Sequence, residues 1–493
     1  MEFGEFYKNL GLKEYPFQTY TAENESEKLD QLFVIPPCYD PLLESYKRLS
    51  TLIIDGERGT GKTFLVNRIT SKSSLDELKI IIDDFSELKT TPSTSEFHVL
   101  LMENIVEVMF EKLAIDRKRI KRLNEEQKIL LSYLLSKYVS NISKAKLRSD
   151  IEKIQVGMIK RYGSWFYNKI RGVLNYGTTA TSLVVSDLVS KHFHSLPPVD
   201  EGKIKVFFPE VNVGCKTDFL DQKESFVFFE RVLLLIKSLG FKRLVVVLDK
   251  LDEDERFHND AQRIADFVEP LLTDSKLLLH DNIQLIVSIW SVPYRFLKSK
   301  FRTQKHDTHT IQWSSEKLIN VLNSRLKAYS DGEVSDVNQL FEPESELNIN
   351  DIVLLSNNNP RDLWHVMDSI LKEQYDVNPK SKLTSHAVEH GITRFVKNFN
   401  FYEYYPRKSN ARANTMDIYS YIAHLQKMDS YRFSKNKLNE QAGTGGSTDN
   451  YVTNMEKIGL IKKTGEKASG GVEYIIDDPK VIYAINNGIK IQA

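Results

Sequence analysis

The chain has 493 residues, 67 basic and 67 acidic side chains, 41% hydrophobic and 27% charged residues. At roughly 100–200 residues per domain this length predicts about three domains, and the ordinary globular composition excludes a single small scaffold and gives no reason for disorder. Balanced charge means that only local patches can point to a partner. Cys38 and Cys215 lie far apart, which excludes a disulfide framework and a cysteine-rich zinc site and suits a reducing cytoplasm. The start, Met1-Glu2-Phe3-Gly4-Glu5, is acidic where a signal peptide would be basic, and no run approaches the ~18 apolar residues of a membrane span.

In chain order, Leu52-Ile53-Ile54-Asp55 predicts a short buried strand. It runs into Gly56-Glu57-Arg58-Gly59-Thr60-Gly61-Lys62-Thr63, after which Phe64, Leu65, Val66 and Ile69 recur at helical spacing. Strand, glycine loop and helix are the context in which G-x-x-x-x-G-K-[ST] becomes a phosphate cradle. Glycines let backbone N–H groups wrap phosphates, the helix N-terminus adds partial positive charge, and Lys62 neutralises the β/γ oxygens. Thr63 is the expected Mg²⁺ ligand, and Gly56–Phe64 as a whole is the expected ATP-binding segment.

Further short β-branched runs follow at 79–83, 244–249 and 283–289, with a weaker one at 308–313 just before a predicted helix over 315–329. Strands alternating with helices predict a parallel α/β sheet. Between the second and third runs lie about 160 residues, more than a crossover needs, so 97–205 reads as a helical insertion. From Lys112 to Arg171 sixteen Lys/Arg face five Asp/Glu, densest at Arg117–Arg122. Such a run serves either as a solvated helix face or as a contact for nucleic acid or an acidic partner.

The third run ends at Asp249, the expected carboxylate partner of the loop's Mg²⁺. Lys250 stands where an additional-strand ATPase usually carries the catalytic Glu or Asp, leaving Asp252 and Glu253 as substitutes, or else as acidic residues opening a helix. Ser288 and Ser291 stand at the end of the fourth strand, either near a γ-phosphate or attacking water or as helix caps. Asn357-Asn358-Asn359-Pro360-Arg361-Asp362 predicts a turn into a helix within a small helical lid over 331–400, with Arg361 as a reporter of nucleotide state.

Residues 401–413 read as a linker. Predicted helices over 416–428, 435–441 and 448–458, then a hairpin through Lys462, Lys463 and Lys467, make a winged helix-turn-helix over 410–493. The last of these helices, Thr448–Lys457, is not strongly basic, so the wing lysines are the better phosphate contacts, with protein contact or packing as the other reading of this domain. His386-Ala387-Val388-Glu389-His390 matches an inverted zinc-protease pattern but has no evident third ligand.

This ordered set, with the Ile311-Gln312-Trp313 segment, resembles the AAA+/STAND-like P-loop ATPases, closest to the bacterial KAP-like group, many of which act in defence against phage. Tyr15-Pro16-Phe17 and Phe33-Val34-Ile35-Pro36-Pro37 resemble that family's adenine-side entry, giving 1–50 a place on the nucleotide side of a core over 51–330. The resemblance implies ATP and Mg²⁺ as ligands, hydrolysis through Lys62, Asp249 and Asp252 or Glu253, and an arginine, Arg295 or Arg302, reaching into a neighbouring subunit. It implies a switch or assembly ATPase acting through a homo-oligomer, an effector protein or nucleic acid. The group's membrane-spanning insertions are missing, so no membrane tether carries over. A DNA-binding initiator or loader, and a nucleotide-binding scaffold without turnover, remain the alternatives.

Overall fold

The computed structural model describes residues 1–18, 25, 28–71, 76–135, 196, 206, 222–301, 305–343, 349–407, 417–468 and 471–492. Most of the predicted insertion beyond residue 135, with Cys215 and Arg302, lies outside the described residues. Five strands carry the α/β core: β1 (Leu52–Gly56), β2 (Glu77–Ile82), β3 (Arg243–Leu248), β4 (Gln284–Trp290) and β5 (Asp307–Thr310). They form one sheet in the order β2-β3-β4-β1-β5, and the pairs β1–β4, β1–β5 and β2–β3 are parallel. The expected parallel α/β sheet is therefore present. The weak fifth run forms strand only over Asp307–Thr310, because Ile311 turns into the interior and Trp313 leaves the sheet to hydrogen-bond the glycine loop.

The chain divides into two compact units, Met1–Ser71 with Asp249–Glu269 and Ile286–Ala493, and Lys72–Leu248 with Pro270–Leu285. In the first, β1 is buried along its length, as a parallel strand covered on both faces must be. The helix Ser315–Tyr329 turns Leu318, Leu322 and Leu326 inward. Three helices follow, Ile349–Leu355, Pro360–Val377 and Ser385–Asn398. Pro360 occupies the first position of its helix and the Asn359 side chain accepts from the Arg361 amide, so the Asn-Pro-Arg turn is a built N-cap.

The C-terminal part holds helices Ile418–Leu425, Lys435–Ala442 and Thr448–Ile458, with Gly443 and Gly459 closing the latter two at positive φ. Strands β6 (Arg432–Ser434), β7 (Ile461–Ala468) and β8 (Gly471–Ile476) form an antiparallel sheet in the order β6-β8-β7. This arrangement is compatible with a winged helix. It adds β6 and a last helix, Pro479–Asn486, to the elements expected from sequence.

In the second unit the long helix Thr94–Ile115 starts at a capping box, with Ser93 and Glu96 exchanging bonds, and packs on Gln222–Ser238. The densest basic run, Arg117–Arg122, is a 3₁₀ segment whose Arg119 is buried. Arg119 pairs with Asp76 and Asp116, donates to the Gly240 carbonyl and lies over Phe241, and Arg122 donates to the Leu239 carbonyl. Arg119 is thus used within the unit, while Arg117, Lys118, Lys121 and Arg122 are exposed. Also here, buried His98 holds Ser225 Oγ at 2.9 Å through Nδ1 and Asp274 Oδ2 at 2.6 Å through Nε2.

Candidate nucleotide site

The loop after β1 is shaped by three glycines with different reasons. A Cβ on Gly56 would meet Thr60 Oγ1 at 2.7 Å, while Gly61, with φ +90°, would meet nothing within 4 Å and is demanded by backbone conformation alone. Gly59, with φ +81°, has neither option: its Cβ would meet Asn359 Oδ1 at 2.5 Å and Arg361 Cβ at 2.8 Å. The loop's carbonyls are engaged by side chains. Lys62 Nζ donates to Gly56 and Glu57 carbonyls at 3.0 and 3.1 Å, Thr60 Oγ1 to Glu57 at 2.7 Å, and Trp313 Nε1 to Thr60 at 3.0 Å. The helix Lys62–Thr70 starts directly from this loop, so its first unpaired N–H groups belong to the loop itself, which suits a bound anion.

A cavity of ≈ 760 Å³ opens on the loop and is lined by Arg58–Leu65, Asp249, Glu253 and Arg361, among others. Phe33, Val34 and Pro36 also line it, and the Phe33 ring stacks on Phe64 at 5.8 Å. Tyr15 and Phe17 do not: Tyr15 Oη bonds Asp368 and Phe17 packs on Trp364. The segment meets the lining through two residues: Phe17 packs on Trp364, and the Pro16 carbonyl accepts from Arg325, which is paired with Glu25 and set 4.7 Å over the Trp364 ring. Arg325 and Trp364 had no motif to announce them.

Past β3 the chain folds back on itself. Lys250 takes φ +59°, which costs an L-residue roughly 1–2 kcal/mol, and the Glu253 amide closes the turn on the Lys250 carbonyl at 3.0 Å. Buried Leu251 anchors the turn, and Asp249 and Asp252 are buried too. Asp252 is committed: Arg58 Nε donates to its Oδ2 at 2.8 Å and Arg58 Nη2 to its carbonyl at 2.6 Å. Glu253 lines the cavity and stays open to solvent. The concave wall still strips water from it, and that desolvation, with Asp252 and Asp249 nearby, raises its proton affinity, while Lys250 and Arg361 act the other way.

Arg58 ties this turn to two more segments. Its guanidinium lies 4.3 Å over the Trp290 ring and bonds Asn259 Oδ1, and its carbonyl accepts from Asn359 Nδ2. The structure thus brings Gly56–Phe64, Asp249, Asp252, Glu253 and Arg361 together. Arg295 reaches the same loop outside the cavity lining, its guanidinium 2.6 Å from Glu57 Oε1 of the same chain. Ser291 Oγ donates to Asp55, which also receives Thr310 Oγ1 at 2.6 Å, and Ser288 Oγ is buried without a partner.

On the wing, Lys462 pairs with Asp477 at 2.5 Å and Lys463 with Glu456 at 2.9 Å, both in exposed positions, and Lys467 is exposed as well. His386 and His390 stack at 4.1 Å, and among the described residues no group of three or more His, Cys, Asp or Glu is placed to hold a metal. Thr63 and Asp249 are hard oxygen donors of the kind Mg²⁺ takes when phosphates and water complete its shell, so the residues present fit that ion. Among the described residues no helix is long and apolar enough to cross a membrane.

No protein-family model matches the chain, and no curated protein matches it. A solved structure similar to it is the ORC2 protein of Aeropyrum pernix in ADPNP–ADP complexes, at TM-score 0.40 and 10% identity over 94% of this chain and 97% of that one. None of the comparisons carries the defence-associated part of the resemblance. The site is therefore read from its own geometry.

Proposed function

We propose that this chain is an ATP-binding and ATP-hydrolysing P-loop switch of the AAA+/STAND-like kind, acting through a partner bound outside the nucleotide cavity. The observation that carries the reading is one cavity lined at once by the loop Gly59–Thr63, by Asp249 and by the lid's Arg361. Lys62 and the loop amides would hold the phosphates, and Thr63 and Asp249 would hold Mg²⁺, which supplies charge neutralisation at the phosphates when bound. Phe33, Val34 and Pro36 offer the apolar wall that a nucleobase needs.

The switch follows from the direct abutment of Gly59 on Asn359 and Arg361: a ligand that changes the loop must change the lid's seat. A partner that binds the two lid positions with free energies differing by about 1.4 kcal/mol is biased tenfold. Effector protein and a second copy of the chain are the partners this reading favours, and a role in a bacterial defence system is the finer assignment within it. The DNA-initiator alternative rests on the wing, where Lys467 is exposed and Lys462 and Lys463 stand in exposed ion pairs.

Phosphate release from Mg-ATP by the native chain and by Lys62→Ala is the deciding measurement. Removing one preorganised donor at a transferring group costs about 100- to 1,000-fold. Equal rates for the two proteins would leave no enzyme, and nucleotide binding by the native chain alone would leave a scaffold.

A further inference from the structure

Residues 401–407, which the sequence presents as a linker, are fastened on two sides. Phe401 and Tyr405 are buried, and Tyr405 Oη donates to Asp478 at 2.9 Å. Asp478 caps the last helix, whose fully buried Lys480 reaches Asp362 of the lid helix at 3.1 Å. On its other side the segment meets the nucleotide cavity, where Glu403 is a lining residue. The fastening there is a single asparagine in the chain after β3. Asn259 Nδ2 donates to the Tyr402 carbonyl and to the Tyr405 carbonyl, the latter at 3.0 Å, and the Asn259 carbonyl accepts from the Arg407 amide at 2.9 Å. Its Oδ1 accepts from Arg58 of the glycine loop.

Every group of the Asn259 side chain is thus in use, both amide protons on residues 402 and 405 and the oxygen on the loop. An aspartate there would have no proton to give the two carbonyls. The backbone selects the same residue type, because Asn259 takes φ +60°, a left-handed conformation that Asn, Asp and Gly adopt most readily. Resting on the nucleotide-binding reading above, we infer that Asn259 is a positioning residue for the glycine loop and that residues 401–407 are the strap through which the C-terminal part of the chain acts on that loop. With Arg58 held by Asn259, part of the loop's ordering is complete before a triphosphate arrives, so the fastened strap favours binding. Coupling of this kind is reciprocal: whatever the nucleotide gains from the fastened strap, the strap gains from the nucleotide.

The test uses the full chain, with ADPNP and Mg²⁺ as the probe. Hydrogen exchange of the Arg407 amide, whose bond to Asn259 is part of the fastening itself, is expected to slow about fivefold or more when the probe is added to the native chain. Asn259→Asp keeps an acceptor for Arg58 but loses both donors to the strap, and Asn259→Gly suits the left-handed backbone while losing all three side-chain bonds. Both variants should bind ADPNP about fivefold more weakly, with an Arg407 amide that no longer responds to it. Native affinity in Asn259→Asp with weaker binding in Asn259→Gly alone overturns the strap, because the bond to Arg58 is then the whole effect. Faster Arg407 exchange in the variants by the same factor with and without the probe, at unchanged affinity, also overturns it, since a merely structural contact gives that result. Should either variant unfold, the native chain decides: an Arg407 amide that bound ADPNP leaves unchanged or exposes overturns the inference while the nucleotide reading stands. A native chain that binds no ADPNP overturns that reading, and this inference with it.

Discussion

Two polar clusters in this molecule are each built on a buried aspartate and lead to opposite conclusions. In the second unit, Ser225, His98 and Asp274 stand in the order and at the spacings of a hydrolytic triad, 2.9 and 2.6 Å apart. In the first, Arg58, Asp252 and Glu253 gather with no such familiar outline. The difference is access. His98 is 1% exposed, stacks on Phe229 at 5.9 Å, and shares its aspartate with the N-cap of the helix Ser275–Leu278. A nucleophile with no route for a substrate is a satisfied core contact. Glu253 lines a cavity that also opens on the glycine loop, so its openness is informative.

The comparison is broken most forcefully at the sealed cluster. His98→Ala leaves Asp274 Oδ2 buried without its imidazole partner and opens a void under Phe229. We expect a loss of about 3–5 kcal/mol of stability, read by chemical denaturation, with phosphate release per folded molecule unchanged. A change in turnover without a change in stability would mean that access, as a criterion, had misled.

A subtler effect sharpens the open cluster. On the reading that makes Glu253 the substitute catalytic carboxylate, it must be ionised to accept a proton, and its raised proton affinity predicts that activity falls as pH drops at a higher pH than for a free glutamate. The groups facing it are Asp252 and Asp249, which raise the value, and Lys250 and Arg361, which lower it. Asp252→Asn removes one like charge and leaves the Arg58 cation unpaired nearby, and both changes favour the carboxylate. The acid limb of kcat should therefore move to lower pH in Asp252→Asn even as the plateau drops. An unmoved limb would show that Glu253 does not set it.

How much of this was legible beforehand depends on whether a feature is local in sequence. Gly56–Thr63 was readable because every residue of the cradle is contiguous and flanked by its own strand and helix. The Asn-Pro-Arg cap was readable for the same reason. The Arg58–Asp252 pair spans 194 positions, and the His98 contacts span 127 and 176, so periodicity and spacing carry no trace of either. The composition of Arg117–Arg122 shows six residues rich in charge without showing that Arg119 turns inward. Strand β6 has three residues, too few for alternation to register, whereas the last helix did carry a signal, Asp478 before Pro479, in an N-cap that the structure completes with bonds to the Lys480 and Val481 amides.

The smallest expected effect concerns Ser288, which the sequence places at the end of the fourth strand beside an imagined γ-phosphate. In the structure its partner across β1 is Ile54, its side chain is 1% exposed, and its hydroxyl is buried without a hydrogen bond. An orphaned hydroxyl costs about 1–3 kcal/mol, so Ser288→Ala, which removes the unpaired group and little volume, should be neutral or stabilise by up to about 1 kcal/mol with kcat unchanged. The opposite result would be instructive. A tenfold fall in turnover at unchanged stability would mean that β4 reaches the cavity in a working state, and that Ser288 lacks a partner because its partner is the substrate.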